Sequence, residues 1–424
     1  MKSLKLTLLL ASAFAFLGAN GQTAKQGNWC GFDQVLQKEL DKDPQFIEKS
    51  EAIIQNIIKN GNQNKRPGPY IVPVVVHNIT HSGGVGYVDK ATIEAAIDRL
   101  NIDFQRLNSD TANTRNEFKP HAGSLDIEFR LAHVDPNGVC TEGIVRLEHP
   151  SSADFSDTYK NVSYWDSKKY FNIWLVDFIN GSNPPSYIAG YAQFPTSGIN
   201  GTFGVVIDNT FFGPNNRTLT HELGHCFNLF HTFQGNCGNN CSNSGDRCCD
   251  TPPTSDNGAS CATNSSCSND QNGPSPYTMN MNDQYENYMS YSNCQNMFSN
   301  DQITRMEAVL NNTSTSTGLA QLTTPTNLAA TGTANPYGPV ICAPIADFSY
   351  NREMICEGAS VTFQDESYNA TPTTWNWTFA GGTPATSSDS MPVVTYNTAG
   401  VYGVTHEPGT VAGTDVVTKN SIIT

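Results

Sequence analysis

Charged side chains are scarce, at 15% of the 424 residues, against about 25% in ordinary globular chains. The basic ones are scarcest: 24 Lys and Arg stand against 39 Asp and Glu, for a formal charge of −15. A protein that grips a phosphate backbone needs the opposite sign, so nucleic acid is not an expected partner. After residue 17 no apolar run approaches the ~18 residues that would cross a bilayer, so the chain is not expected to be membrane-embedded. Histidine is sparse as well, nine in all, which gives weight to any place where several fall together. Cysteine, in contrast, is plentiful at 12, several of them crowded between Cys237 and Cys267. That density belongs to an oxidising compartment or to metal clusters.

The N-terminus decides for the first. Lys2 and Lys5 precede an apolar run from Leu6 to Leu17, and Ala19, Asn20 and Gly21 are small residues suited to cleavage. Residues 1–21 therefore read as a signal peptide, and the product is expected to be secreted. Residues 32–58 carry apolar side chains at helical spacing, broken at Pro44, before a polar stretch that contains Lys65 and Arg66. An exposed dibasic stretch is open to proteolysis, so residues 22–66 read as a removable pro-segment; an ordinary helical hairpin is the alternative.

Strand-like runs at residues 70–76, 125–131, 171–176 and 204–207 alternate with a helix that Asp89 caps and whose Ile93, Ile97, Leu100, Phe104 and Leu107 share a face. Pro73 marks the first run as an edge or bulged strand. Together they predict an α+β main domain over residues 67–310, with a mixed twisted sheet. Beyond Phe233 the periodicity fades, so that part must be irregular and held by disulfides. Residues 311–339 have linker composition. Short alternating strands over residues 340–424 predict an all-β sandwich. The sandwich and the chain finish almost together at Thr424, so no export-sorting tail is expected.

Three of the nine histidines fall within eleven residues, as His221-Glu222-Leu223-Gly224-His225 followed by His231. Residues four apart lie on one helix face, so His221 and His225 can aim two imidazoles at one metal. Glu222 can reach a water there without ligating. On a continuing helix His231 would point away, so the helix must break first, and Asn228 is the residue that tolerates the positive φ this needs. Three His ligands leave the fourth position of zinc open, the catalytic arrangement, and Glu222 becomes the general base for hydrolysing an amide.

His-Glu-x-x-His with a third His six residues on, followed by Glu286-Asn-Tyr-Met289-Ser-Tyr291, resembles the metzincin metalloproteases, specifically the pappalysin family and its cytophagalysin branch. Residues 73–77, 101–107, 190–194, 231–233 and 250–253 resemble further family stretches. The resemblance implies a metzincin-type zincin fold over residues 70–310, a zinc endopeptidase acting on protein or peptide substrates, and zinc on His221, His225 and His231. It also implies Met289 in the tight turn beneath the metal and Tyr291 as a catalytic tyrosine. Asp246 and Thr251 match a segment that binds calcium, and Cys30 matches a thiolate that caps the zinc in a latent form.

If Cys30 is unpaired, parity demands another free thiol; Cys226 is the candidate, although pairing with Cys140 is open. Cys342 and Cys356 are expected to bridge within the last domain. The resemblance implies Cys261 with Cys294, and Cys267 with a member of the Cys237 to Cys249 group. The final 85 residues resemble a PKD-type sandwich, which implies a spacer, or else contact with extracellular matrix or glycan. Ser292 to Gln295 contains no acid to anchor a basic substrate side chain. Two other functions stay open on sequence: an adhesion protein on an inactive zincin scaffold, and a zinc hydrolase of a non-protein amide.

Overall fold

A computed structural model describes residues 29–60, 68–81, 83–150, 157–179, 188–258 and 261–424. The signal-peptide reading and Lys65-Arg66 lie outside the described residues. The expected break at Pro44 separates two amphipathic helices, α1 (Phe32–Lys42) and α2 (Phe46–Asn60). Strand β1 (Tyr70–Thr80) and helix α3 (Lys90–Phe104) follow. The Asp89 side chain accepts from Thr92 N at 2.8 Å and caps α3. The helix stops where Arg106 turns to φ +55, which leaves Leu107 69% exposed and not on the buried face that the spacing predicted.

The main sheet also contains β3 (Ile127–Leu131), β4 (Ile144–Glu148), β5 (Phe171–Val176), β6 (Gly190–Tyr191) and β7 (Gly204–Asp208). A short strand β2 (Ala122–Gly123) pairs outside it with β8 (Phe298–Ser299). The order is β3-β1-β5-β7-β6, with β4 pairing the second half of β1. All neighbours run parallel except β6 against β7, and the central strands are buried along their length, as parallel strands covered on both faces must be.

The strand carrying Pro73 is thus interior, not an edge. Tyr70 and Val76 send their N–H groups to the β3/β4 side. Alternation turns Pro73 N to the other side, one residue before pairing with β5 begins at Val74. No ladder bond is lost there.

Helix α4 (Asp157–Lys160) is a single turn, α5 (Thr218–Cys226) packs on β7, and α6 (Asn300–Asn311) packs on α2. Ser299 and Gln302 form a reciprocal capping box that starts α6. Between α5 and β8 no regular helix or strand occurs among the described residues, in keeping with the fading periodicity. Cys237–Cys267, Cys241–Cys249 and Cys261–Cys294 staple this stretch.

Two expectations about the C-terminal part need correction. Residues 311–339 are no loose tether. Leu319 and Leu322 enter the main core, helix α7 (Pro325–Ala330) lies on β1, and Thr331 O accepts from His133 N and Val134 N. Secondly, Cys342 pairs with Cys140, not with Cys356, which is free and exposed. Cys342 precedes the first sandwich strand and runs beside the main domain, so its nearest thiol in space is 202 residues away in sequence. Cys30, Cys226 and Cys248 are also free and are buried.

The sandwich has one sheet of β9 (Phe348–Tyr350), β10 (Ala359–Asp365), β12 (Gly382–Thr383) and β14 (Val393–Tyr396). The other holds β11 (Thr374–Phe379), β13 (Thr386–Ser387), β15 (Tyr402–Thr410), β16 (Gly413–Thr414) and β17 (Val417–Ile423). Phe348, Val361, Phe363, Trp377 and Phe379 fill the space between them.

Candidate metal centre

Helix α5 is buried on every side. Leu219 and Leu223 join the core under the sheet, which turns His221 and His225 to the opposite side. His221 Nδ1 lies 2.7 Å from Tyr288 O, and His225 Nδ1 lies 2.7 Å from Leu229 O. A carbonyl can only accept, so each Nδ1 carries the hydrogen and each Nε2 presents a lone pair. Those two Nε2 atoms stand 3.3 Å apart. With no hydrogen between them they repel, and a cation between them is what relieves it.

The helix ends as the spacing required. Asn228 takes φ +67, Leu229 N donates back to Gly224 O at 2.9 Å, and the reversed chain brings His231 to the same point. His231 is fully buried. Met289 lies directly beneath: a Cβ at position 224 would push its thioether aside, so glycine between the two helical histidines lets Met289 pack close.

A fourth donor arrives from the N-terminal segment. One ligand atom each from Cys30, His221, His225 and His231 lie within 4.8 Å of one another, and Cys30 Sγ is 3.5 Å from His225 Nε2. Tetrahedral zinc, with Zn–N of about 2.05 Å and Zn–S of about 2.3 Å, requires roughly 3.3 Å between nitrogens and roughly 3.5 Å from nitrogen to sulfur. The donor types suit the ion, and the His221–His225 and Cys30–His225 pairs match that spacing. Burial pushes the Cys30 thiol well up, with the Glu222 carboxylate adding to the effect; a cation at this point opposes both.

Backbone pairing puts Cys30 there. Ala189 N donates to Trp29 O at 2.7 Å and Gly31 N to Gly190 O at 2.8 Å, so residues 29–31 lie parallel along the β6 edge. Phe32 and Trp29 then cover His225 and His221, with ring centroids 3.8 and 4.6 Å apart. The Asp33 carboxylate stands 3.6 Å from His231 Nδ1. Sequence reading passed over Trp29, Phe32 and Asp33, although aromatic residues on both sides of an isolated cysteine were a usable signal.

Glu222 is fully buried and lies close against Gly190, where a Cβ would come within 3.0 Å of its Cγ. Tyr291 packs its ring 5.0 Å from that of His231. Burial raises its hydroxyl well above an ordinary phenol, and the neighbouring Cys30 sulfur adds to the effect. Both candidate catalytic residues therefore border the histidine cluster. Asp246 and Thr251 also meet, in the stapled segment: Thr251 Oγ1 donates to Asp246 Oδ2 at 2.6 Å, and burial pushes the Asp246 carboxyl up to about 8.

Beside the centre, Ser292, Asn293 and Gln295 line a polar cavity of about 150 Å³ together with Arg99, Asp110 and Arg217. An acid does reach this stretch, from 182 positions away along the chain, but Asp110 is paired with Arg217 at 2.8 Å.

Comparison with known proteins agrees with this geometry. Residues 154–311 match the family model described as pregnancy-associated plasma protein-A, and residues 342–421 match the PKD domain. The structure is similar to Tannerella forsythia mature mirolysin in complex with a cleaved peptide, at 30% identity and a TM-score of 0.50 over 63% of this chain and 99% of that one. A Tannerella forsythia promirolysin mutant matches at 29% identity and a TM-score of 0.53, over 72% and 99%. An extracellular metalloprotease of Colletotrichum graminicola is 29% identical over 71% of this chain and 95% of its own length. The fold is the mirolysin-like zincin fold followed by a PKD-like sandwich. The chain belongs to the pappalysin family of metzincin metalloproteases and is a zinc metalloendopeptidase acting on proteins or peptides.

Proposed function

We propose that this is a secreted endopeptidase made as a latent precursor, with zinc held by His221, His225 and His231, Glu222 as general base, and residues 22–66 as the removable segment. The observation that carries the reading is the Cys30 sulfur, which stands 3.5 Å from His225 Nε2 and gathers with the three histidines within 4.8 Å. Zinc bound by these residues would supply Lewis acidity, polarising the scissile carbonyl and lowering the pKa of water towards ~7. Glu222 takes the proton of the attacking water and hands it to the leaving amine. Tyr291 Oη, buried beside Cys30 and set free when the segment leaves, donates a hydrogen bond to the oxyanion as charge develops. Trp29 and Phe32 keep water and substrate out until the segment is cut away. Met289 supports the histidines from below.

Secretion is supported by the charged, apolar leader and by four disulfides. Structural calcium at Asp246 and Thr251 is part of the same reading, supported by a buried carboxyl, the Thr251 hydroxyl and Cys248 O gathered in one irregular turn. The sandwich is read as a spacer: Cys140–Cys342 ties it to the main domain, and Asn369 Nδ2 donates to Cys140 O and Ala343 O. No matrix or glycan contact is needed for this reading.

The test is spectroscopy of the cobalt-substituted precursor. A sulfur-to-metal charge-transfer band that disappears in Cys30→Ala is expected. Its absence from the unaltered precursor would remove the thiolate and leave latency to steric blocking.

A further inference from the structure

The side chain of Arg305, on α6, is 2% exposed and joins two places that the metal chemistry does not use. Its Nη1 and Nη2 donate to Glu51 Oε1 and Oε2, both at 2.9 Å. Nη2 also donates to Asn228 Oδ1 at 2.7 Å and leans towards Asn228 O at 3.4 Å. Asn228 is the left-handed residue that lies between His225 and His231, so the guanidinium holds the turn on which the third histidine depends. Its carboxylate partner comes from the other direction, from α2 within the segment read as removable. The neighbouring Ser50 reinforces the contact: Asn228 Nδ2 donates to Ser50 Oγ at 3.2 Å, and Ser50 pairs with Thr196 at 2.7 Å.

Resting on the latent-precursor reading above, we propose that Arg305 is a positioning residue for the metal site, acting through Asn228, and that Glu51 makes α2 a second latch independent of Cys30. The physical reason is that a buried guanidinium without a carboxylate is costly, whereas a bidentate pair is stable only while both partners stay. In the precursor that cost holds α2 down on the turn. After cleavage the Glu51 partner leaves with the segment, and Arg305 retains Asn228 as its hydrogen-bonded acceptor.

Two measurements test this. In the first, an added protease cuts the zinc-loaded precursor at Lys65-Arg66, and native mass spectrometry reads how much of residues 22–66 stays bound. Glu51→Gln and Cys30→Ser should each weaken retention by at least ~10-fold, and the double variant by roughly the product, as independent anchors do. Retention of the Glu51→Gln segment within twofold of wild type would overturn the latch.

The second measurement compares mature Arg305→Gln with Arg305→Lys. In the former, kcat should fall by ~10-fold or more with KM little changed, and zinc should leave faster to a chromogenic chelator; Lys should restore part of both. Unchanged kcat and zinc release in Arg305→Gln would overturn the positioning role. If that variant does not fold, Asn228→Gly decides: it keeps the positive φ but removes the Oδ1 acceptor, and it should speed zinc release in the same direction. A wild-type mature chain that hydrolyses no peptide would sink the protease-precursor reading instead, while segment retention and zinc release would still judge this one.

Discussion

Phe32 lies face to face on His225, their ring centroids 3.8 Å apart and their planes within 4° of parallel. On the latent-precursor reading, this contact holds the N-terminal segment on the candidate metal centre: Phe32 stacks on His225 beside Cys30 and shields it from water. Phe32→Ala should lower the precursor's melting temperature, because a buried aromatic ring and a ~0.5–1.5 kcal/mol stacking contribution are lost. Conversion to the mature form should accelerate, and the mature enzyme should be indistinguishable from wild type, since the residue is gone from it. Calorimetry together with a conversion time course checks both, and an unchanged conversion rate would show that Phe32 only fills space.

Glu222→Ala leaves all four candidate ligand atoms in place. Zinc content should persist while peptide hydrolysis drops by ~100-fold or more, the scale of losing a general base. Metal analysis alongside digestion of a denatured protein, with the new peptide ends read by mass spectrometry, makes the comparison. Substantial cleavage by a zinc-loaded variant would end the assigned mechanism.

The proposed calcium site at Asp246 has a thermal test. A calcium-selective chelator at constant zinc should lower the melting temperature of wild type by mass action, and should do so much less in Asp246→Ala. Without the ion, a buried carboxyl held at about 8 stabilises the fold below pH ~4, and that contribution is lost as pH rises through 8. The chelated protein should therefore weaken over that window and the calcium-loaded one should not. An equal response of both proteins would show that the site is misassigned, and no response in either would remove calcium from the account.

The sandwich has an acid limit set by Asp365. Burial pushes this carboxyl up, but hydrogen bonds from His406, Ser367 and Trp375 outweigh it and hold it at about 2. A depressed carboxyl stabilises the fold above its ordinary value near 4, and that stability disappears as pH falls towards 2. The side chain is only 12% exposed, and the contribution is on the order of 2 kcal/mol. Hydrogen exchange in β11 and β15 of the full chain should speed up between pH 4 and 2 in wild type but hardly at all in Asp365→Asn. The same acid slope in both would rule this carboxyl out.

Local periodicity carried a large part of this protein. His221 and His225 are one helical turn apart, so their shared face needed no long-range information, and the positive φ at Asn228 followed from the requirement that His231 return. Likewise β5 and β11 coincide with runs of alternating or continuous apolar residues, and the gap between α1 and α2 coincides with a proline. In each case the deciding interactions lie within a few residues of one another, where helical and strand periods dictate geometry.

Other features depended on which distant segments meet. Pro73 reads as an edge residue until β5 is seen to begin one position later. Leu107 reads as core until the chain turns at Arg106. Pairing Cys342 with Cys356 looked economical because both lie in one domain, yet packing sets Cys140 beside Cys342. The strongest case is the ion pair of Glu51 with Arg305, 254 residues apart. Nothing in either neighbourhood announces it, because a buried charge finds its partner through the packing of α2 on α6 and not through any period of the chain.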